Sequence, residues 1–284
     1  MKKLSILFFV FFYSFSLFGK CGNSGIYVFP SGDEITKNSI FMIEGFARSQ
    51  KTIKSLKQGN QAYLKSECHI VKLRVENIHI GSYGLTQSIL KPEEDLIVGE
   101  EYFFKIDSTG LINPMYKIGA YGRPISWKVK DEIDNEKPFW SSEMRPKFLN
   151  TSHIEYGCGP ETFAHFQVKI NDASETLIKT EVMDLKKNEK TIYYLTSKDG
   201  KIAVGHGMCS GAFALRKNGK YKVRFDLMDA SGNSFGRWSE WTEISGFQTK
   251  MGILDFSKSN NLSLQIGIIL FLIAIFFKRH SQKV

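Results

Sequence analysis

The chain has 284 residues, and 38 Lys and Arg outnumber 29 Asp and Glu for a formal net charge of +9. Five of those cations lie at the ends, where no carboxylate accompanies them: Lys2, Lys3, Lys278, Arg279 and Lys283. Setting them aside leaves 33 cations against 29 anions, a net of +4 for everything between. That small excess excludes nucleic-acid binding as a reading from charge and assigns the basic balance to targeting and topology.

The N-terminus opens with Met1-Lys2-Lys3, followed by a Phe-rich apolar run from Leu4 to Phe18 and the small residue Gly19. A basic start, a short apolar core and a small residue at the cut predict a secretory signal peptide over 1–19. Gly25 to Phe29 reads as a strand ending in the turn Pro30-Ser31-Gly32-Asp33, and Ser39 to Phe46 reads as another. From His69 to Ile80 the apolar residues Val71, Leu73, Val75, Ile78 and Ile80 are separated by Lys72, Arg74 and Glu76, the alternation of a half-buried strand. Gly99 makes a turn, and Tyr102, Phe104 and Ile106 alternate into a core. Outside the C-terminal apolar run, no stretch shows sustained helical periodicity.

Asp131 to Lys137 is polar and charged, and Pro138 ends it, which predicts a linker over 131–138. Beyond it, Ala164, Phe166, Val168 and Ile170 alternate with polar neighbours. Thr191–Thr196 and Ile202–Gly205 flank Ser197-Lys198-Asp199-Gly200 and predict a hairpin. Tyr221, Val223, Phe225 and Leu227 alternate cleanly within Lys220–Met228, and Trp241 to Phe247 is the expected last strand.

The C-terminal run Leu262–Phe277 holds no charge and is closed by the basic cluster Lys278, Arg279 and Lys283. Its 16 residues reach only ~24 Å as a helix at ~1.5 Å per residue, short of a ~30 Å hydrocarbon core. Snorkelling by Lys278 and bilayer thinning cover the difference, and the cations place the tail in the cytoplasm. A sorting tail removed after export is the alternative.

Short strands with Gly, Asn and Asp turns imply an all-β chain built as two tandem immunoglobulin-like β-sandwich domains, over 21–130 and 139–248. A spacer over 249–261 leads to a transmembrane helix over 262–277 and a basic tail over 278–284. Both halves resemble bacterial immunoglobulin-like or fibronectin type III-like modules. Residues 30–46 and 96–106 carry the resemblance in the first half, and 134–140 and 220–233 carry it in the second. The resemblance implies an adhesive, spacer or binding role. The box Arg237-Trp238-Ser239-Glu240-Trp241-Thr242 resembles the W-S-x-W-S box of type I cytokine receptors, departing from it at Thr242. Trp238 and Trp241 are expected to stack with Arg224 or Arg237, a rigidifying cation–π device.

An even number of cysteines in an exported chain suggests disulfides. Spacing suggests Cys21–Cys68 and Cys158–Cys209, each closing a loop of about 50 residues and stabilising by roughly 3–4 kcal/mol. His206 and Cys209, with Cys158, His165 and His153, offer an alternative metal-handling or enzymatic set. No G-x-S-x-G surrounds Ser210, and no phosphate loop or metalloprotease helix is present,. The chain therefore reads as non-enzymatic, without cofactor or metal. The expected partners are the membrane and another envelope or surface protein or a glycan. Tyr116, Tyr121, Phe139 and Trp140 either form that binding surface or seal the interface between the domains.

Overall fold

A computed structural model describes residues 24–107, 114–118, 124–141, 145–157 and 159–247. The signal-like run, Cys21, Tyr121, Cys158, the spacer, the apolar run and the basic tail lie outside the described residues. Strand outweighs helix by 54% to 4%, so the chain is all-β. No described helix is long and apolar enough to cross a membrane. The described residues to Phe247 belong to one compact unit.

The first lobe is a single nine-stranded sheet. Its strands are β1 (Gly25–Phe29), β2 (Glu34–Ile35), β3 (Phe41–Phe46), β4 (Ala62–Lys65), β5 (Ile70–Ile80), β6 (Leu85–Pro92), β7 (Glu101–Ile106), β8 (Met115–Lys117) and β9 (Ser126–Val129). They stand in the order β2-β9-β7-β4-β5-β6-β3-β1-β8. In a flat sheet, β9 and β3 would be five places and ~24 Å apart at ~4.8 Å per strand. The rings of Phe41 on β3 and Trp127 on β9 instead lie 4.9 Å apart. The sheet therefore curls over its own apolar face, with Ile43, Leu64, Val71, Leu73, Tyr102, Phe104 and Trp127 in the core.

β5 makes the bend. Residues 70–73 pair with β4, and residues 73–80 pair with β6, the second pairing broken by a bulge between Val75 and Asn77. The bulge inserts one residue, so Ile78 and Ile80, opposite Ser88 and Thr86, stay on the face that Val75 shares with Leu90, and that face runs out beyond the core,. Val71 and Leu73 are buried, whereas Ile80 is 59% exposed. This corrects the expectation of one continuous alternation, and the signal was visible as a three-residue step from Val75 to Ile78. A second correction is the helix α1 (Gln50–Ser55), which follows a 3-10 turn over Ala47–Ser49. At six residues it is too short to show periodicity. It packs through Ile53 against β3, where a Cβ on Gly45 would lie 2.8 Å from Ile53 Cγ1 and from Ser49 O.

The second lobe faces two sheets across one core. β11 (Lys147–Tyr156), β12 (Gly159–Gln167) and β16 (Lys201–His206) form one sheet. β15 (Glu189–Leu195), β14 (Thr176–Asp184), β17 (Lys220–Asp229) and β18 (Thr242–Ser245) form the other. β10 (Phe139–Trp140) pairs with β13 (Ile170–Asn171). Tyr221, Val223, Phe225 and Leu227 point inward as their alternation required. The expected hairpin around Ser197–Gly200 is not one. β15 and β16 belong to opposite sheets, and Tyr193 and Ile202 meet the same core from its two sides. That chain segment is a sandwich corner.

The segment 131–138 runs between the sheets of the two lobes without strand structure. It is tied down: Asn38 Nδ2 and Asn233 Nδ2 both donate to Asp134 O, at 2.6 and 2.9 Å. A third apolar cluster closes the seam, with Phe29, Ile40, Met42 and Ile89 from one lobe and Leu177, Tyr194 and Ala230 from the other. Polar bonds flank it. Gln87 Nε2 donates to Tyr194 O and Tyr194 N donates to Gln87 Oε1, both at 2.9 Å. Glu175 accepts from Ser31 N, Ser31 Oγ and Gly32 N. The β5–β6 turn adds Ser82 N to Ala212 O and Gly211 N to Tyr83 O, at 2.8 and 2.7 Å.

Candidate functional site

The Trp-Ser-Glu-Trp segment lies along β17. Ser239 N donates to Phe225 O at 2.7 Å, and Phe225 N donates to Ser239 Oγ at 3.0 Å. This fixes the box beside the strand and leaves Trp238 and Trp241 over Arg224. The guanidinium carbon is 4.5 Å from the Trp238 ring centroid and 4.4 Å from that of Trp241. Lys179 Nζ adds a second cation 5.3 Å from the Trp238 ring. Arg224 faces Glu181 across β14. Its Nε donates to Glu181 Oε2 at 2.5 Å, its Nη2 bonds the same oxygen, and Lys190 Nζ is 3.5 Å from Oε1. Glu181 is only 3% exposed, so its charge is held by these cations. Among the described residues, the cations on the two rings are Arg224 and Lys179. Arg237, the other expected partner, instead bonds through its backbone N–H to Asp226 Oδ1 at 3.2 Å. The arrangement offers rigidity rather than a reacting group, at ~0.5–2 kcal/mol per cation–π contact.

Among the described residues, the alternative metal set is not brought together. Cys209 is disulfide-bonded, which removes its thiolate as a ligand,. Gly159, next to Cys158 in sequence, approaches Met208, next to Cys209: a Cβ on Gly159 would lie 3.0 Å from Met208 O. His206 Nδ1 contacts Gly207 O at 3.0 Å under the Tyr83 ring. His165 Nε2 meets Ser152 Oγ, and His153 Nδ1 meets Thr162 Oγ1, both at 2.8 Å. Each imidazole is committed to its own local partner.

The Cys21–Cys68 pairing is also corrected. Cys68 is a free, exposed thiol in the turn between β4 and β5. The physical reason is direction. Trp127 Nε1 donates to Pro30 O, Trp127 pairs with Tyr102, and the Tyr102 hydroxyl meets His69 Nδ1 at 2.8 Å. The Cys68 turn therefore sits at the Pro30 end of β1, whereas the chain enters β1 at Gly25, beside Phe46.

The described aromatic candidates, Tyr116, Phe139 and Trp140, do not form one face. Tyr116 lies 5.9 Å from Tyr27 in the first lobe. Trp140 packs against the second core, and Phe139 beside it is 50% exposed.

Sequence reading missed two clusters. Asp134, Asp172 and Asp229 bring carboxylate oxygens within 4.8 Å of one another at the end of the seam. They are the described residues that could hold a cation. Their present partners are Ser174 Oγ on Asp134 Oδ2, Ser174 N on Asp172, and Asn233 Nδ2 with the Ser231 and Asn233 amides on Asp229. Burial, with the neighbouring carboxylates, raises Asp172 and Asp229 above the usual range. The available signal was a repeated D-A-S, at 172–174 and 229–231. The second cluster lies within the seam. Burial pushes the Glu44 carboxyl up to about 7, opposed by the Tyr193 hydroxyl. Burial, then Lys179 and Lys57, holds His79 down at about 4. The His79 ring stands edge-on to Tyr194 at 5.3 Å.

No protein-family model matches the chain, and no curated protein does. Among solved structures, it is similar to a cytokine receptor complex at 8% identity over 78% of this chain and 96% of that one, with a TM-score of 0.24. It is also similar to type I pullulanase from Bacillus subtilis complexed with maltose, at 12% identity over 78% of this chain and 24% of that one, TM-score 0.23. A DUF4785 family protein from Legionella pneumophila gives 9% identity, 78% and 56% coverage, and a TM-score of 0.22. Likenesses this low carry no argument about fold or function. The chain spans about a quarter of the pullulanase.

Proposed function

We infer that this chain is an exported, non-catalytic binding module that presents two β lobes to an envelope or surface protein or a glycan while the run 262–277 holds it at a membrane. The observation that carries the reading is the seam. An apolar cluster, the paired Gln87–Tyr194 bonds and the Glu175 carboxylate tie the lobes together, which suits a rigid presenting or spacing body. The basic, Phe-rich start and the closing apolar run support export and tethering. The three-plus-four division of the second lobe supports its fibronectin type III-like reading,.

Fractionation with protease treatment of intact cells tests export. Cross-linking of the full chain followed by mass spectrometry tests binding. Membrane recovery, external cleavage and a specific cross-linked partner are expected. A soluble cytoplasmic chain would overturn the reading. The Trp238–Arg224–Trp241 stack favours a receptor-like signalling protein as a second reading. In the same experiment, its signature would be a ligand-dependent pairing of two membrane chains.

A further inference from the structure

The outer face of the first lobe carries a pattern that the seam and the Trp–Arg stack do not use. Alternation buries Ala62, Leu64, Val71, Leu73, Tyr102 and Phe104, so the intervening residues of β4, β5 and β7 point to solvent. The register sets them in rows. Lys72, Tyr63 and Lys105 lie side by side on three neighbouring strands, and Ile70, Lys65 and Phe103 form the next row. At ~4.8 Å per strand, Lys72 and Lys105 flank Tyr63 about 10 Å apart, and Lys65 stands ~7 Å along β4 from it. Lys65, Lys72 and Lys105 are exposed; Ile70 is 55% and Phe103 40% exposed.

The carboxylates nearby are mostly engaged. Glu76 accepts from Arg74 Nη2 at 2.6 Å, and Glu101 accepts from Ser126 Oγ at 2.7 Å. Asp107 neighbours Tyr63. Lys65, Lys72 and Lys105 have no ion-pair partner among the described residues.

The geometry points to this face of β7-β4-β5 as a binding surface for a linear anionic polysaccharide. Tyr63 and Phe103 supply apolar platforms for sugar rings, and the three lysines meet carboxylate or sulfate groups along the polymer. The mild charge of the chain between its ends argues against nucleic acid, whose phosphate spacing rewards a denser basic patch. The inference rests on the proposed binding module and names one ligand class for it.

The test uses the full chain in detergent micelles, with fluorescent heparin and polygalacturonate as probes. Neutral dextran, duplex DNA and phosphatidylserine vesicles serve as controls. Expected are binding of the two polyanions that weakens with salt, none to dextran, and a roughly tenfold or greater loss in K65Q/K72Q/K105Q. F103S should lose affinity without losing the salt dependence. Circular dichroism confirms that each variant is folded. Unchanged binding by the triple variant would overturn the inference, as would DNA or vesicles binding where neither polysaccharide does. External protease cleavage together with absent polysaccharide binding would sink this inference alone and leave the binding-module reading standing.

Discussion

Gln87 and Tyr194 exchange two hydrogen bonds across the seam, the side-chain amide of one matching the backbone N–H and C=O of the other at 2.9 Å each. Gln87 is fully buried, so the amide takes the place of a missing strand neighbour. Truncation to Ala strands a buried donor and a buried acceptor at ~1–3 kcal/mol each. Q87A is therefore expected to lower unfolding stability by about 2–6 kcal/mol in urea titration. Q87E sets a carboxylate oxygen against the Tyr194 carbonyl at a fully buried position and should lose at least as much stability as Q87A,. A Q87A protein as stable as wild type would show that the seam does not depend on this pair.

The Arg224 stack gives a second prediction. R224M leaves Glu181 buried with only the more distant Lys190, and breaking a buried pair from one side costs roughly 3–5 kcal/mol. R224K keeps a charge but loses the planar stacking surface and the fork on Glu181, so a smaller loss is expected. The double variant R224M/E181L should recover much of the single loss. Thermal unfolding of the three proteins measures this, and equal losses in R224M and R224K would count against charge compensation as the cause.

Glu44 and His79 give opposing pH dependences. Glu44 has a folded value of about 7 against an ordinary 4.5. Its contribution is full below 4.5 and is lost as pH rises through 7. His79 stands at about 4 against 6.5. Its contribution is present above 6.5 and is lost as pH falls through 4. Between about 4.5 and 6.5 the two slopes largely cancel. E44Q should therefore gain stability with rising pH across that window, and H79N should lose it. Each effect is on the order of a few kcal/mol. Denaturation at pH 4.5, 5.5 and 6.5 reads both slopes, and parallel behaviour of the two variants would refute the assignment.

The thiols are separable by labelling. Maleimide added to the folded chain should modify Cys68, because it is free and exposed. Cys209 should react only after reduction. C68S is expected to change stability by less than about 0.5 kcal/mol. C209S should cost roughly 2–5 kcal/mol. Protection of Cys68 in the native protein would restore the pairing that the strand directions disfavour.

Alternation together with the Gly, Asn and Asp turns between short runs determined the all-β class, because a strand with one buried face must repeat every two residues. Alternation located β7 and β17 and the inward residues Tyr102, Phe104, Tyr221, Val223, Phe225 and Leu227, and a short apolar run before a turn located β1. The Trp and Arg residues of the stack were also legible, since short-range spacing put both rings within reach of Arg224. Only the tertiary structure decided which strands pair. A period of two says which face is buried but not which neighbour covers it. Hence β15 and β16, adjacent in sequence, fall in opposite sheets, and β5 passes from β4 to β6 along its length within one curled nine-stranded sheet. Glu181 behind Arg224, the Asp134–Asp172–Asp229 cluster and the lysine rows around Tyr63 each join residues far apart in the chain. Their electrostatics exist only once strand register sets them side by side.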